Sequence, residues 1–227
     1  MMLIATTVAI ALVASTAFAA AGVTAPATAD TIPPMIVTVT TAADLSPSLV
    51  KALLAETDAI WRPSGITLLW QAAARIATPA EQREFGPFVP NSLHVIIGEN
   101  RGSGTSSRVP LGWIVFDDVT VPEQEIYLSY ANARQMLEQA RGVVGLIDQM
   151  PIMQRETLLA RAMGRALAHE LGHYLLASKV HTERGLMKAT MTASELFMPD
   201  SGAFRLEPAQ RRSVAARLRG EPLVASR

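Results

Sequence analysis

Three of the four histidines in this 227-residue chain fall within thirteen residues, at His169, His173 and His181 in HELGHYLLASKVH. His169 and His173 are four residues apart, so on a helix they lie one above the other on the same face. Two neutral imidazoles so placed bind a single metal ion with little strain. Glu170 stands about a hundred degrees round the helix from His169, close enough to reach a water on that metal without binding it. The arrangement is H-E-x-x-H. Nitrogen ligands suit zinc, and a third protein ligand would leave a fourth position for water. Zinc brings such a water from a pKa near 16 to about 7, and Glu170 would take its proton and pass it to a leaving amine. Leu167, Ala168, Leu171, Leu175 and Leu176 make the helix apolar, so it is expected to be largely buried. Paired buried histidines need partners, and a shared metal supplies one.

The third ligand is open to two readings. His181 lies eight residues after His173, too far along to share the helix face, so the helix must end near Ser178 and the chain must bend back. Glu195, twenty-two residues after His173 in MTASEL, is the competing donor, on a following helix. Ligand softness and proximity favour His181. Glu183 reads more simply as a solvated loop charge.

Beyond His181 comes Gly185-Leu186-Met187, and at this point the sequence resembles the metzincin clan of zinc metallopeptidases. Their signature, H-E-x-x-H-x-x-G-x-x-H, is followed by a methionine-containing turn beneath the metal. The resemblance implies His169, His173 and His181 as ligands of one Zn2+ ion, Glu170 as general base and Met187 as the turn methionine. Ordinary core packing is the other reading of Met187. Two features depart from the clan. The glycine three residues after the second histidine is replaced by Leu176, with Ala177 next, and the third histidine comes two residues late. Neither Leu176 nor Ala177 is expected at positive φ. The longer linker, Leu176 to Val180, is instead expected to turn back gradually. The chain therefore reads as a divergent metzincin-like protein.

Positioning such a site takes a scaffold, and the pattern supplies its elements. Met35 to Thr40 alternates β-branched residues as a strand. Ser46 caps a helix that opens at Pro47 and runs to about Trp61. Strands follow at Gly65–Gln71, Ser92–Gly98, Leu111–Phe116 and Glu125–Tyr130. ENRGSGTSSRVP, residues 99–110, is a polar loop. Helices are expected from Ala131 to about Arg141, from near Pro151 to about Ser178, and over Glu207–Leu218. This order predicts an α+β fold, and its resemblance to the metzincin N-terminal subdomain implies a zincin or metzincin-like type, with a mixed twisted sheet of about five strands packed on a long active-site helix. The resemblance further implies that the fourth strand, Gly112, Trp113 and Ile114 within Gly112–Phe116, forms a sheet edge that pairs with an extended substrate. An interior strand is the alternative. His94, Tyr127 and Tyr130 read as strand residues, and Tyr174 as packing beside a ligand.

Composition narrows the class. Lys plus Arg and Asp plus Glu are both 20, with no basic patch, which argues against a nucleic-acid partner. There is no cysteine, so disulfides, thiolate metal sites and a cysteine nucleophile are excluded. Residues 1–29 carry no charged side chain, and a dense apolar stretch, Leu3 to Val13, precedes small-residue sites ending at Ala19 and Ala29. This reads as a signal peptide cleaved after Ala19 or as late as Ala29, or else as an N-terminal anchor, the only expected membrane contact. Residues 30–227 are then one secreted or periplasmic catalytic domain. The expected activity is zinc-dependent endopeptidase action on a peptide or protein substrate. The competing expectation is a non-catalytic, zinc-stabilised binding module outside the cytoplasm.

Overall fold

A computed structural model describes residues 31–42, 45–72, 92–99, 110–118 and 120–221. The N-terminal segment 1–29 and all but the ends of the polar loop 99–110 lie outside the described residues.

Strand β1, Met35–Thr41, buries Met35, Val37 and Val39 on one face and turns Ile36 and Thr38 to the other. Helix α1, Pro47–Trp61, starts where expected: the Ser46 hydroxyl accepts from the Leu49 amide at 3.2 Å, with proline in the first turn. Its buried face is Leu49, Leu53, Thr57, Ile60 and Trp61. A short 3-10 turn at Arg62–Ser64 ends on Gly65 at φ 76°, so strand β2 starts at Leu68 and runs to Ala72, later than the alternation suggests. Strand β3 spans Ser92–Gly98, β4 Gly112–Asp118 and β5 Val121–Ser129.

These five strands form one mixed sheet in the order β2-β1-β3-β5-β4. β1 pairs in parallel with β2 and β3, and β3 with β5. Only β4 is antiparallel, paired with β5, and among the described residues it forms one edge of the sheet. The apolar run LGWIVF is therefore not an interior strand.

The Ser129 hydroxyl accepts from the Asn132 amide at 3.1 Å and caps helix α2, Tyr130–Gln139. Tyr130 is accordingly the first residue of a helix and not the last of a strand. A short helix α3, Arg141–Val144, follows. Helix α4, Ile152–Leu176, is 25 residues long and buries Leu158, Met163, Leu167 and Leu171. It packs on α1, with the Thr57 hydroxyl donating to the Gly164 carbonyl at 3.0 Å. Both helices share one core with Val37, Leu93, Val95, Ile97, Ile126 and Leu128 of the sheet. Helix α5, Ala193–Phe197, carries a capping box between Thr192 and Glu195. Helix α6, Pro208–Leu218, completes the described fold. Among the described residues no helix is long and apolar enough to cross a membrane.

Candidate metal centre

The last two turns of α4 carry His169, Glu170 and His173, and the chain after the helix returns His181 to the same point. The His173 Nε2 stands 3.0 Å from His169 Nε2 and 3.2 Å from His181 Nε2. All three donor nitrogens lie within 4.8 Å of one another. His173 is buried, His169 half-buried and His181 exposed.

Two of these rings are aimed from behind. The His169 Nδ1–H donates to the Leu186 carbonyl at 2.7 Å, and the His173 Nδ1–H to the Ser178 carbonyl at 2.6 Å. With Nδ1 carrying the proton, each Nε2 presents a lone pair, and these lone pairs face one another at hydrogen-bond distance with no hydrogen between them. Such a juxtaposition is repulsive unless a cation sits among the nitrogens. Zinc fits: ligands about 2.0–2.1 Å from a tetrahedral ion stand about 3.3 Å apart. Burial lowers the His169 pKa to about 4, opposed by its bond to Leu186, and also lowers that of His173. Both rings are therefore neutral, as metal ligation requires.

The return of His181 uses a turn the sequence did not suggest. Ala177 caps α4 at φ 48°, ψ 46°, in the left-handed region. Its amide reaches the Tyr174 carbonyl, and the Ser178 amide reaches the His173 carbonyl, both at 3.2 Å. This pair of bonds is a Schellman motif. The expectation that neither residue takes positive φ thus holds for Leu176 and fails at Ala177, and the expected gradual turn is replaced by a tight one. The bend is tight and falls one residue beyond the clan's glycine. An alanine is tolerated there because two backbone bonds and the His173–Ser178 bond hold the turn.

Gly185, Leu186 and Met187 form the second support. The Met187 carbonyl accepts from Thr182 at 2.9 Å, tying the His181 arm to this turn. Met187 is fully buried against Gly172, where an added Cβ would stand 2.2 Å from its sulfur. The glycine inside HELGH is therefore the space the methionine occupies.

Glu170 is nearly buried, and burial pushes its pKa up to about 8, opposed by a hydrogen bond from the Ile114 backbone. Ile114 belongs to edge strand β4. Close approach of that strand depends on Gly112, whose added Cβ would meet Leu128 at 2.7 Å and the Glu170 Cγ at 3.2 Å. A cleft of about 920 Å³ runs over the triad. Gly112, Trp113 and Ile114 form one wall and Lys188 to Met191 the other, with His169, Glu170, His173 and His181 on the floor.

Other singled-out groups lie elsewhere. Glu195 bonds Lys188 at 2.7 Å and the Thr192 amide at 2.7 Å, which hold its pKa down at about 2. It is not brought to the histidines. His94 bonds Thr40 at 2.7 Å across the sheet face that points away from the core. Tyr127 stacks on Trp113 with centroids 5.5 Å apart, and Tyr174 is buried beside Arg217.

Arg165 was not foreseen. It is 1% exposed, four residues before His169, and donates to Glu56 at 2.8 Å and to the carbonyls of Glu195 and Met198. It thereby fastens the segment forming the second wall to α4. Its signal was a charge on the helix face that also carries His169.

No family model matches the chain. No curated protein matches it either. Among solved structures, archaemetzincin from Methanopyrus kandleri is similar at a TM-score of 0.48 and 11% identity, over 82% of this chain and 96% of that one. At that level of likeness the chemistry of the centre rests on its own side chains.

Proposed function

We infer that the protein is a zinc-dependent peptidase holding one ion on His169, His173 and His181. The observation that carries this is the facing of three imidazole Nε2 atoms, two of them deprotonated by backbone bonds, beside a buried Glu170 under an open cleft. Zinc, when bound, supplies a Lewis acid that polarises a carbonyl and makes a water nucleophilic at neutral pH.

The remaining work belongs to the chain. The free backbone groups of β4 hold an extended peptide across the cleft, adding a strand to the sheet edge. Glu170, its carboxyl kept from solvent and oriented by the Ile114 amide, accepts the proton of the attacking water and returns it to the leaving amine. Burial places its pKa near the working range for such a shuttle. Met187 and Gly172 support the floor. A structural zinc site would instead present four protein ligands and no need for a base.

Residues 1–29 support placement outside the cytoplasm, which N-terminal sequencing of the mature protein would test. The central test is zinc content and peptide cleavage for wild type, Glu170→Gln and His181→Ala. Glu170→Gln is expected to keep one zinc and lose about 10²–10⁴-fold in kcat. His181→Ala is expected to lose zinc at micromolar free metal. Full zinc retention by His181→Ala would remove His181 as the third ligand.

A further inference from the structure

Besides the three histidines, four ionisable side chains line the cleft: Arg165, Glu170, Lys179 and Lys188. Arg165 is neutralised by Glu56 at 2.8 Å, and Lys188 by Glu195 at 2.7 Å. Glu170 is buried and turned to the Ile114 amide. Lys179 differs from all of these. It is exposed, its Nζ stands 5.0 Å from the centroid of the Phe116 ring, and no carboxylate of the described residues pairs with it. The remaining lining is uncharged, with Gln135, Gln139, Met136, Thr190, Met191 and Leu196.

The position of this cation along the cleft is defined. Ile114 marks the point on β4 that faces Glu170, and Phe116 lies two residues further along the same strand. The pairing of β4 with β5 shifts register between these two residues, so Phe116 gives the direction along the strand and not a fixed residue count. A peptide paired with β4 therefore presents to Lys179 a side chain on the Phe116 side of the one beside Glu170. Asp117 and Asp118, which follow Phe116 in sequence, are exposed and do not line the cleft, and Asp117 shares a hydrogen bond with Glu123.

Resting on the peptidase reading above, we propose that Lys179 selects substrates with an acidic side chain to the Phe116 side of the scissile position. The ammonium meets the incoming carboxylate at the rim, where a charge pair is worth a modest preference and weakens with salt.

The test uses capped, fluorescein-labelled alanine decapeptides carrying one Glu, one Gln or one Lys, with that residue moved through each position. Affinity is read by fluorescence anisotropy on zinc-loaded Glu170→Gln, and cleavage of the same peptides on wild type. At one position the Glu peptide is expected to bind about two- to fivefold more tightly than its Gln twin. Adding Lys179→Ala should abolish that difference, and adding Lys179→Glu should reverse it. Equal affinities throughout, a difference that survives Lys179→Ala, or no binding by any peptide would overturn the inference. So would tighter binding of a Lys peptide at that position, which would show the Asp117 and Asp118 field to prevail. Peptides bound with the Glu preference but never cut would leave the role of Lys179 standing and remove the peptidase reading. Peptides cut with no Glu preference would do the opposite.

Discussion

Each aimed imidazole owes its direction to a backbone carbonyl behind it, at Leu186 for His169 and at Ser178 for His173. Side-chain changes at those two supports should therefore matter little, whereas movement of their backbone should matter greatly. Glu170 is governed by its surroundings instead. Burial raises its pKa from 4.5 to about 8, so the folded state holds this proton more tightly than the unfolded chain. Its contribution is fully present below pH 4.5 and is lost as pH rises toward 8. His169 has the opposite sign: with a pKa lowered from 6.5 to about 4, its contribution is present above pH 6.5 and is lost as pH falls toward 4. Between pH 6.5 and 8, Glu170 is left as the main source of the decline. Chelated wild type should lose at least about 1 kcal/mol across that window, roughly 2–4 °C in melting midpoint, while chelated Glu170→Gln stays level. Parallel melting curves for the two would remove Glu170 as the cause. Gly172→Ala places a methyl group in the Met187 sulfur and should cost about 1–3 kcal/mol. Most of that loss should return in the double variant with Met187→Ala, as a denaturation cycle would reveal.

At the scale of elements, the turn after α4 decides where His181 goes. Ala177 at φ 48° bears a strain of about 1–2 kcal/mol that glycine would not. Part of the gain from glycine is offset by its greater freedom in the unfolded chain. Ala177→Gly should thus raise stability by up to about 1 kcal/mol, and Ala177→Val should lower it by more than about 1 kcal/mol. Urea unfolding of both variants measures this. Equal stability of alanine and valine at this position would mean that the left-handed turn is not held in solution. Edge strand β4 is the other deciding element, because among the described strands it pairs only with β5 and its Gly112 lets it lie close to Glu170.

Across the whole molecule, the cleft is the gap between a sheet edge and a segment, Lys188 to Met198, that Arg165 holds to α4. A metal on the three histidines would tie the buried helix to the exposed His181 itself, adding to the packing of Leu186 and Met187 in the core. Zinc at about a thousand times its dissociation constant should add about 4 kcal/mol to folding, roughly 10 °C in midpoint. Chelation should then raise hydrogen exchange first in residues 178–187, before the sheet and α1. Uniform acceleration throughout the fold would mean that the arm and the core open together.

The local physics of the chain was legible without coordinates. Ser46-Pro47 announced α1, alternation announced β1 and β3, and i, i+4 spacing put His169 and His173 on one face with Glu170 beside them. These features depend on neighbours within a turn or a strand, so the order of residues carries them directly. The tertiary structure decided what depends on distant backbone. Left-handed Ala177 is stabilised by carbonyls of the preceding turn against its own preference. β4 is an edge because β5 pairs with β3 on its other side. Gly172 acquires its meaning from Met187, fifteen residues away, and among the described residues the cleft cations Arg165 and Lys188 pair with Glu56 and Glu195 while Lys179 pairs with no carboxylate. Pairings between residues far apart in sequence leave no periodic trace, and only the folded backbone brings them together.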